Sequence, residues 1–223
     1  MRRLVLTALL SAAAASPAMA QAPGEHGLET VEVTGARAGQ AQAAKSNVPL
    51  VETAQAISIV SAAQIRDQGI TQLAEALRGV AGVTRSSTYG FYDSYQIRGF
   101  DAAYGSIYVD GLLSANVAGT NNELAGLEQV EVLKGPSSML YGSGPLGGII
   151  NLVSKRPRDA TFLEAGIATG SYGLFEATLD GNMPLTEDGR LLGRLNLVYR
   201  DTGDFVRFSA KRRLYIAPSI TWN

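Results

Sequence analysis

From Leu163 onward apolar and polar side chains alternate in four segments of about ten residues. That period of two limits the segments to strands with one apolar and one polar face. Leu163, Ala165 and Ile167 alternate with Glu164, Gly166 and Ala168. Phe175, Ala177 and Leu179 alternate with Glu176, Thr178 and Asp180. Leu195, Leu197 and Tyr199 alternate with Arg194, Asn196 and Arg200. Leu214, Ile216, Ile220 and Trp222 alternate with Arg213, Tyr215, Ser219 and Thr221. A soluble sandwich and a transmembrane barrel both show such alternation. The charges on the polar face favour the barrel, and so does the N-terminus. Turn-forming residues fall between the segments: Gly170-Ser171, then Pro184 to Gly189, then a longer polar stretch from Asp201 to Arg212 that reads as an external loop.

The N-terminus has the three parts of an export signal in order. Arg2 and Arg3 are the positive region, Leu4 to Ala15 the apolar run, and Ala18-Met19-Ala20 the small-x-small cleavage site. Cleavage is expected after Ala20; it removes two arginines and takes the formal charge from −1 to −3. The apolar run is too short for a permanent anchor, and nothing after it has the pattern of a transmembrane helix. Strands that enter a bilayer must close into a barrel, because lipid satisfies no backbone hydrogen bonds. The near-neutral charge excludes a dedicated nucleic-acid binder. With no cysteine and one histidine, His26, there is no disulfide, thiolate site or histidine-based triad.

Between these regions Val48 to about Pro157 alternates short strands with short helices. Ile57 to Val60 reads as a strand. Ser61 caps a helix, with Gln64 as the capping-box partner and Val60 and Ile65 at the staple positions; Gly69 ends it. Thr71 opens a second helix, buried through Leu73 and Leu77 and stopped by Gly79. Strands are expected near 82–85, 96–100, 107–110 and 130–134. Gly135-Pro136 opens one helical turn with proline first, Gly142 closes it, and Ile149 to Val153 is the last strand. Gly35 to Lys45 is a flexible linker, and Glu29 to Thr34 favours an extended strand.

This central segment resembles the siderophore subgroup of the TonB-dependent outer-membrane receptors. The matching stretches, in family order, are Val48-Pro49 with Gln55 to Val60; Leu73 to Gly82; Gln96-Ile97-Arg98-Gly99-Phe100; Tyr108-Val109-Asp110-Gly111; Val130 to Pro136; Leu140 to Gly144; and Gly147 to Pro157. The fold implied is an α+β plug domain followed by the first strands of an antiparallel transmembrane β-barrel, incomplete in this chain. The organisation implied is a signal peptide over 1–20, a TonB box (29–34) and linker over 21–45, a plug over 46–157 and about four barrel strands over 158–223. The family's barrel has about 22 strands around a plugged lumen. Four cannot close, so the sequence is expected to be a fragment, a truncated reading frame or one part of a larger product. The expected cleavage site lies too near Glu29 for an N-terminal signalling domain to fit between them.

The resemblance assigns roles to particular residues. Glu29, Thr30, Val31, Glu32, Val33 and Thr34 match the TonB box, which pairs its backbone with a partner sheet edge. Arg98 and Lys134 match plug cations that pair with barrel glutamates. The loop Arg85 to Tyr95 resembles an apical ligand loop, so Arg85, Tyr89, Phe91, Tyr92 and Tyr95 are the candidate ligand-binding residues; Asn116 to Asn122 is a second, weaker candidate. The partners implied are the TonB protein, a ferric siderophore and outer-membrane lipid, with no nucleic acid. No cofactor or protein-bound metal is expected, because iron travels inside its chelate.

The nearest alternative is the same machine tuned to cobalamin, haem or another metal chelate, since cargo is read largely by barrel loops. The plug by itself would be an exported binding module, against which the amphipathic strands argue. An enzyme is disfavoured because the sequence shows no acid, base or nucleophile constellation. Gly142 to Gly147 satisfies G-x-G-x-x-G, but a strand follows it and Pro145 interrupts it, so it is no dinucleotide fingerprint.

Overall fold

The computed structural model describes residues 41–46, 49, 52–86, 95–102, 105–114, 122–142, 146–204 and 210–223, all in one compact unit. The expected signal peptide and TonB box lie outside the described residues.

The first half is a mixed α+β layer. Strand β1 (Ala56–Ser61) leads into α1 (Ala62–Asp67), where the Ser61 hydroxyl accepts from the Gln64 N–H at 3.2 Å. Val60 and Ile65 both enter the core, and Gly69 leaves the helix at φ +61°. Helix α2 (Leu73–Ala76) starts later than expected, with Gln72 rather than Thr71 as its N-cap; the Thr71 N–H is instead taken by the Glu75 carboxylate. A 3-10 turn, Leu77–Gly79, ends it. Strands β2 (Val83–Arg85), β3 (Tyr95–Ile97) and β4 (Phe100–Asp101) make a small antiparallel sheet. The single strand expected over 96–100 is broken because Arg98 (φ 52°) and Gly99 (φ 84°) make a tight turn with two positive φ angles.

Strands β5 (Ile107–Val109), β6 (Leu112–Leu113), β7 (Leu127–Lys134) and β8 (Gly148–Ser154) join β1 in a five-stranded sheet of order β1-β7-β8-β5-β6, in which only β5–β8 is parallel. Helix α3 (Ser138–Tyr141) has Ser137 as N-cap, so Pro136 precedes the helix instead of opening it. β7 and β8 are covered on both faces, which explains their nearly continuous apolar runs. Val130, Val132, Ile150 and Leu152 face Leu73, Leu77 and Tyr95. Leu133 and Ile149 face Tyr108 and Ala43, the latter from a 3-10 turn at Gln42–Ala44, so the end of the expected flexible linker is ordered and packs into the core instead.

The second half is an antiparallel meander, β9 (Phe162–Gly170), β10 (Leu174–Pro184), β11 (Leu191–Gly203) and β12 (Ala210–Trp222). The long polar loop expected after Asp201 is shorter than the sequence suggested. Asp201 pairs with Arg212 across the strands at 2.9 Å, so these charges extend the ladder. The four strands turn their polar face inward. Arg194, Asn196 and Val198 are buried on that face, while Leu163, Ile167, Leu214, Ile216 and Ile220 on the other are exposed. A soluble sandwich would bury the apolar face; here the exposed one is apolar, as a lipid-facing wall requires. Phe175 and Tyr199 stand at one end of this face and Trp222, opposite Leu191, at the other. Eight residues separate Leu191 from Tyr199, roughly 26 Å of strand. Tilted by about 40°, they span about 20 Å, close to the apolar band of an outer-membrane barrel and its aromatic girdles.

Candidate functional site

The plug meets the strand wall through two buried ionic clusters, each built from the strands' polar register positions. The first centres on Glu123, in the loop before β7, whose side chain is 3% exposed. One carboxylate oxygen accepts from the N–H groups of Leu124 and Ala125, which fixes the loop. The other accepts from Arg200 on β11 at 3.0 Å and Arg213 on β12 at 3.3 Å. Arg200 is shared with Glu176 on β10. Two strands of the wall thus bond one plug carboxylate directly, and a third joins through the shared Arg200. Beside it Gly126 receives the Tyr215 ring of β12 so closely that a Cβ there would lie 2.2 Å from the phenol oxygen.

The second cluster surrounds Asp180 on β10. Lys155, just after β8, donates to it at 2.8 Å, and Arg194 on β11 makes two bonds to it at 2.8 Å. The Asn196 amide, with its nitrogen turned inward, adds donors at 3.1 and 3.2 Å. Arg194 also donates to the Arg156 carbonyl. The buried Asn182 accepts from the Arg158 N–H and donates to the Arg158 carbonyl. The run Lys155 to Pro157, which ends the last matching stretch, therefore lies along the wall's polar face together with Arg158. Arg158 adds an outer pair with Glu128. Removing one partner from a buried pair strands the other charge and costs about 3–5 kcal/mol, so these clusters fix where the plug sits.

The candidate residues from the sequence fall differently. Arg85 ends β2, exposed, opposite Tyr95 in the β2–β3 register. Tyr95 is 1% exposed and belongs to the plug core. That corrects its expected place in an exposed ligand surface: its alternation with Gln96 in β3 turns the ring inward to join Ile97. Tyr89, Phe91 and Tyr92 lie outside the described residues, as do Glu29 to Thr34. Arg98 is exposed in its turn with the guanidinium against Gly135, the residue after Lys134, so the two cation positions come together at one edge of the plug. Among the described residues neither Arg98 nor Lys134 has an ionic partner.

The wall residues Glu176, Asp180, Arg194, Arg200 and Arg213 were legible as the polar half of the alternation. Of their partners, Glu123 carries no local signal, and Lys155 was legible only as part of the stretch Gly147 to Pro157. Among the described residues no cluster of metal-ligating side chains occurs, and no helix is long and apolar enough to cross a membrane.

Residues 49–149 match the family model described as the TonB-dependent Receptor Plug Domain. The chain is 38% identical over 192 residues to the metal-pseudopaline receptor CntO of Pseudomonas aeruginosa, covering 85% of this chain and 27% of that one. It is 34% identical over 224 residues to the probable TonB-dependent siderophore receptor PiuA of Acinetobacter baumannii, covering 97% and 29%. Among solved structures it superposes on the open form of the ferric-catecholate import receptor Fiu of Escherichia coli K12 with TM-score 0.72 and 33% identity, covering 82% of this chain and 26% of that one. The chain therefore spans about a quarter of the length of the curated relatives it matches.

Proposed function

From the premise that this chain belongs, through residues 49–149, to the plug-domain family of TonB-dependent receptors, we propose that it forms the plug and first wall strands of an outer-membrane receptor for TonB-energised uptake of iron–siderophore complexes. The observation that carries the reading is the inverted wall: four strands bury charges against a plug and expose an apolar face. An enclosed plug on a lipid-facing wall is the architecture of a gated importer. The chemistry done on the cargo is nil; the protein binds, encloses and moves. Arg85, with Tyr89, Phe91 and Tyr92, supplies the plug's share of the ligand surface. Glu29 to Thr34 offers its backbone to TonB, and Arg98 and Lys134 meet acidic residues elsewhere in the barrel. The signal peptide leaves after Ala20.

The test is uptake of labelled ferric hydroxamate by cells that depend on the receptor carrying this chain. Proline at Val33 removes an N–H from the strand, so Val33→Pro abolishes uptake and leaves cell-surface binding intact, while Val33→Ala retains most uptake. Equal loss from both substitutions refutes backbone recognition. Arg85→Ala weakens ferric-chelate binding about tenfold to a hundredfold, from a charged hydrogen bond of roughly 1.5–3 kcal/mol. The similarity to a metal-pseudopaline receptor supports a second reading, a non-ferric metal chelate as cargo. Binding of such a chelate with no ferric-siderophore binding selects it.

A further inference from the structure

Glu131 lies at the centre of the plug sheet, on β7 between β1 and β8, and is fully buried. A carboxylate there is tolerable only if its oxygens are satisfied, and all four of its bonds are accounted for. Oε1 accepts from the Gln42 N–H at 2.8 Å and the Gln129 amide at 2.6 Å. Oε2 accepts from the Ala43 N–H at 2.6 Å and the Asn151 amide at 3.1 Å. Two of the donors are successive backbone N–H groups of a 3-10 turn, the Ala43 donor lying 88 residues upstream of Glu131. A carboxylate that takes consecutive backbone N–H groups holds them strongly and without regard to the occupant's side chains.

The rest of the turn is held from α3. The Tyr141 hydroxyl donates to the Ala43 carbonyl at 3.0 Å. Lys45 donates to the Leu140 carbonyl at 2.8 Å and stands 4.2 Å over the Tyr141 ring. Burial, helped by Glu131 and Tyr108, pushes the Tyr141 phenol up to about 12, so it stays a donor at any physiological pH. Gln42–Ala44 lies between the expected TonB box and β1, the edge strand, which is zipped to β7 along all six of its residues. Tension from the N-terminal side therefore reaches the Glu131 seat before it reaches any strand among the described residues.

We propose that Glu131 is a positioning residue that seats Gln42–Lys45 as a latch, and that the latch must release for uptake. The release step rests on the TonB-energised reading above; the seat itself does not. Hydrogen exchange on the detergent-purified receptor tests the seat. Glu131→Gln replaces one accepting oxygen with an NH2 that faces N–H donors, so the Gln42 and Ala43 amides exchange at least tenfold faster, with Val130 and Val132 unchanged. Tyr141→Phe removes one hydroxyl and gives a smaller acceleration at the same amides, which keeps the test decisive if Glu131→Gln does not fold. Unchanged exchange at Gln42 and Ala43 in the folded variants overturns the seat.

The release step is tested by locking the latch. The chain has no cysteine, so Lys45→Cys with Tyr141→Cys, joined by a short bis-methanethiosulfonate whose two sulfinate groups leave as the disulfides form, ties the turn down. The bridged receptor binds ferric hydroxamate and imports it at under a tenth of the unbridged rate. Import at the unbridged rate overturns the release step. If the unmodified receptor imports nothing, the uptake reading fails and the release step with it, while exchange still decides the seat.

Discussion

Gly126→Ala tests the docking of plug on wall at its tightest point. A Cβ at this position would lie 2.2 Å from the Tyr215 phenol oxygen and 2.8 Å from two ring carbons. Normal contact is about 3.5 Å, so either the ring or the loop must retreat by about 1 Å. Tyr215 stands on β12, paired to Val198 of β11. Retreat of the loop pulls on the Glu123 bonds to Arg200 and Arg213 two strands wide. Overpacking of this kind costs about 1–3 kcal/mol. At about 2 kcal/mol, local opening becomes about thirtyfold more frequent. The reporter is the Lys155 N–H, which donates to the Gly126 carbonyl at 2.9 Å and exchanges only when the loop leaves. Its exchange should accelerate about thirtyfold in Gly126→Ala, while Val132 inside the plug sheet keeps its rate. Adding Tyr215→Ala removes the obstacle, so the double variant should match Tyr215→Ala alone within about 0.5 kcal/mol. Unchanged Lys155 exchange in Gly126→Ala, or full additivity of the two substitutions, would refute the contact.

Four further outcomes are expected. A double-mutant cycle on plug docking gives a coupling above about 2 kcal/mol for Glu123 with Arg200, because both are nearly buried, and below about 1 kcal/mol for Glu123 with Arg213, whose side chain is about a third exposed. Tyr95→Ala costs about 3–5 kcal/mol of plug stability by emptying a core position, yet a receptor that still folds keeps its ligand affinity. Ile216→Arg, mid-strand on the lipid face, lowers barrel assembly in vesicles by about 2–4 kcal/mol, and Ile220→Arg, nearer the strand end, by less. Burial raises the Tyr141 phenol to about 12, above the ordinary tyrosine value of 10.0. Its contribution is therefore complete below about pH 10 and fades between 10 and 12. Difference absorbance at 295 nm against Tyr141→Phe should show that late ionisation.

Much of the architecture was legible from local rules. Ser61, Gln64 and Gly69 bracket α1 because capping and positive φ act within a few residues. The alternation after Leu163 gave the wall strands and their faces because a strand turns successive side chains to opposite sides whatever it pairs with. The misses are positions where local chemistry had two solutions. Arg98-Gly99 fits a strand in pattern but turns in fact, and Asp201 with Arg212 looks like loop until the two charges meet across a ladder.

What the sequence determined by itself was most element types, the two-faced alternation of the wall strands and the family resemblance, since each is written in short runs of residues; which face is buried only the structure shows. The tertiary structure decided which groups meet. Glu123 lies 77 residues from Arg200 and 90 from Arg213, and Glu131 lies 88 from Ala43. Tyr95 belongs by composition to an aromatic loop and by register to the core. A charge or a ring announces that it needs a partner or a covering. Which partner it finds depends on strand order and on how the plug sits against the wall, and those are set by burial summed over the whole unit rather than by any neighbour in the chain.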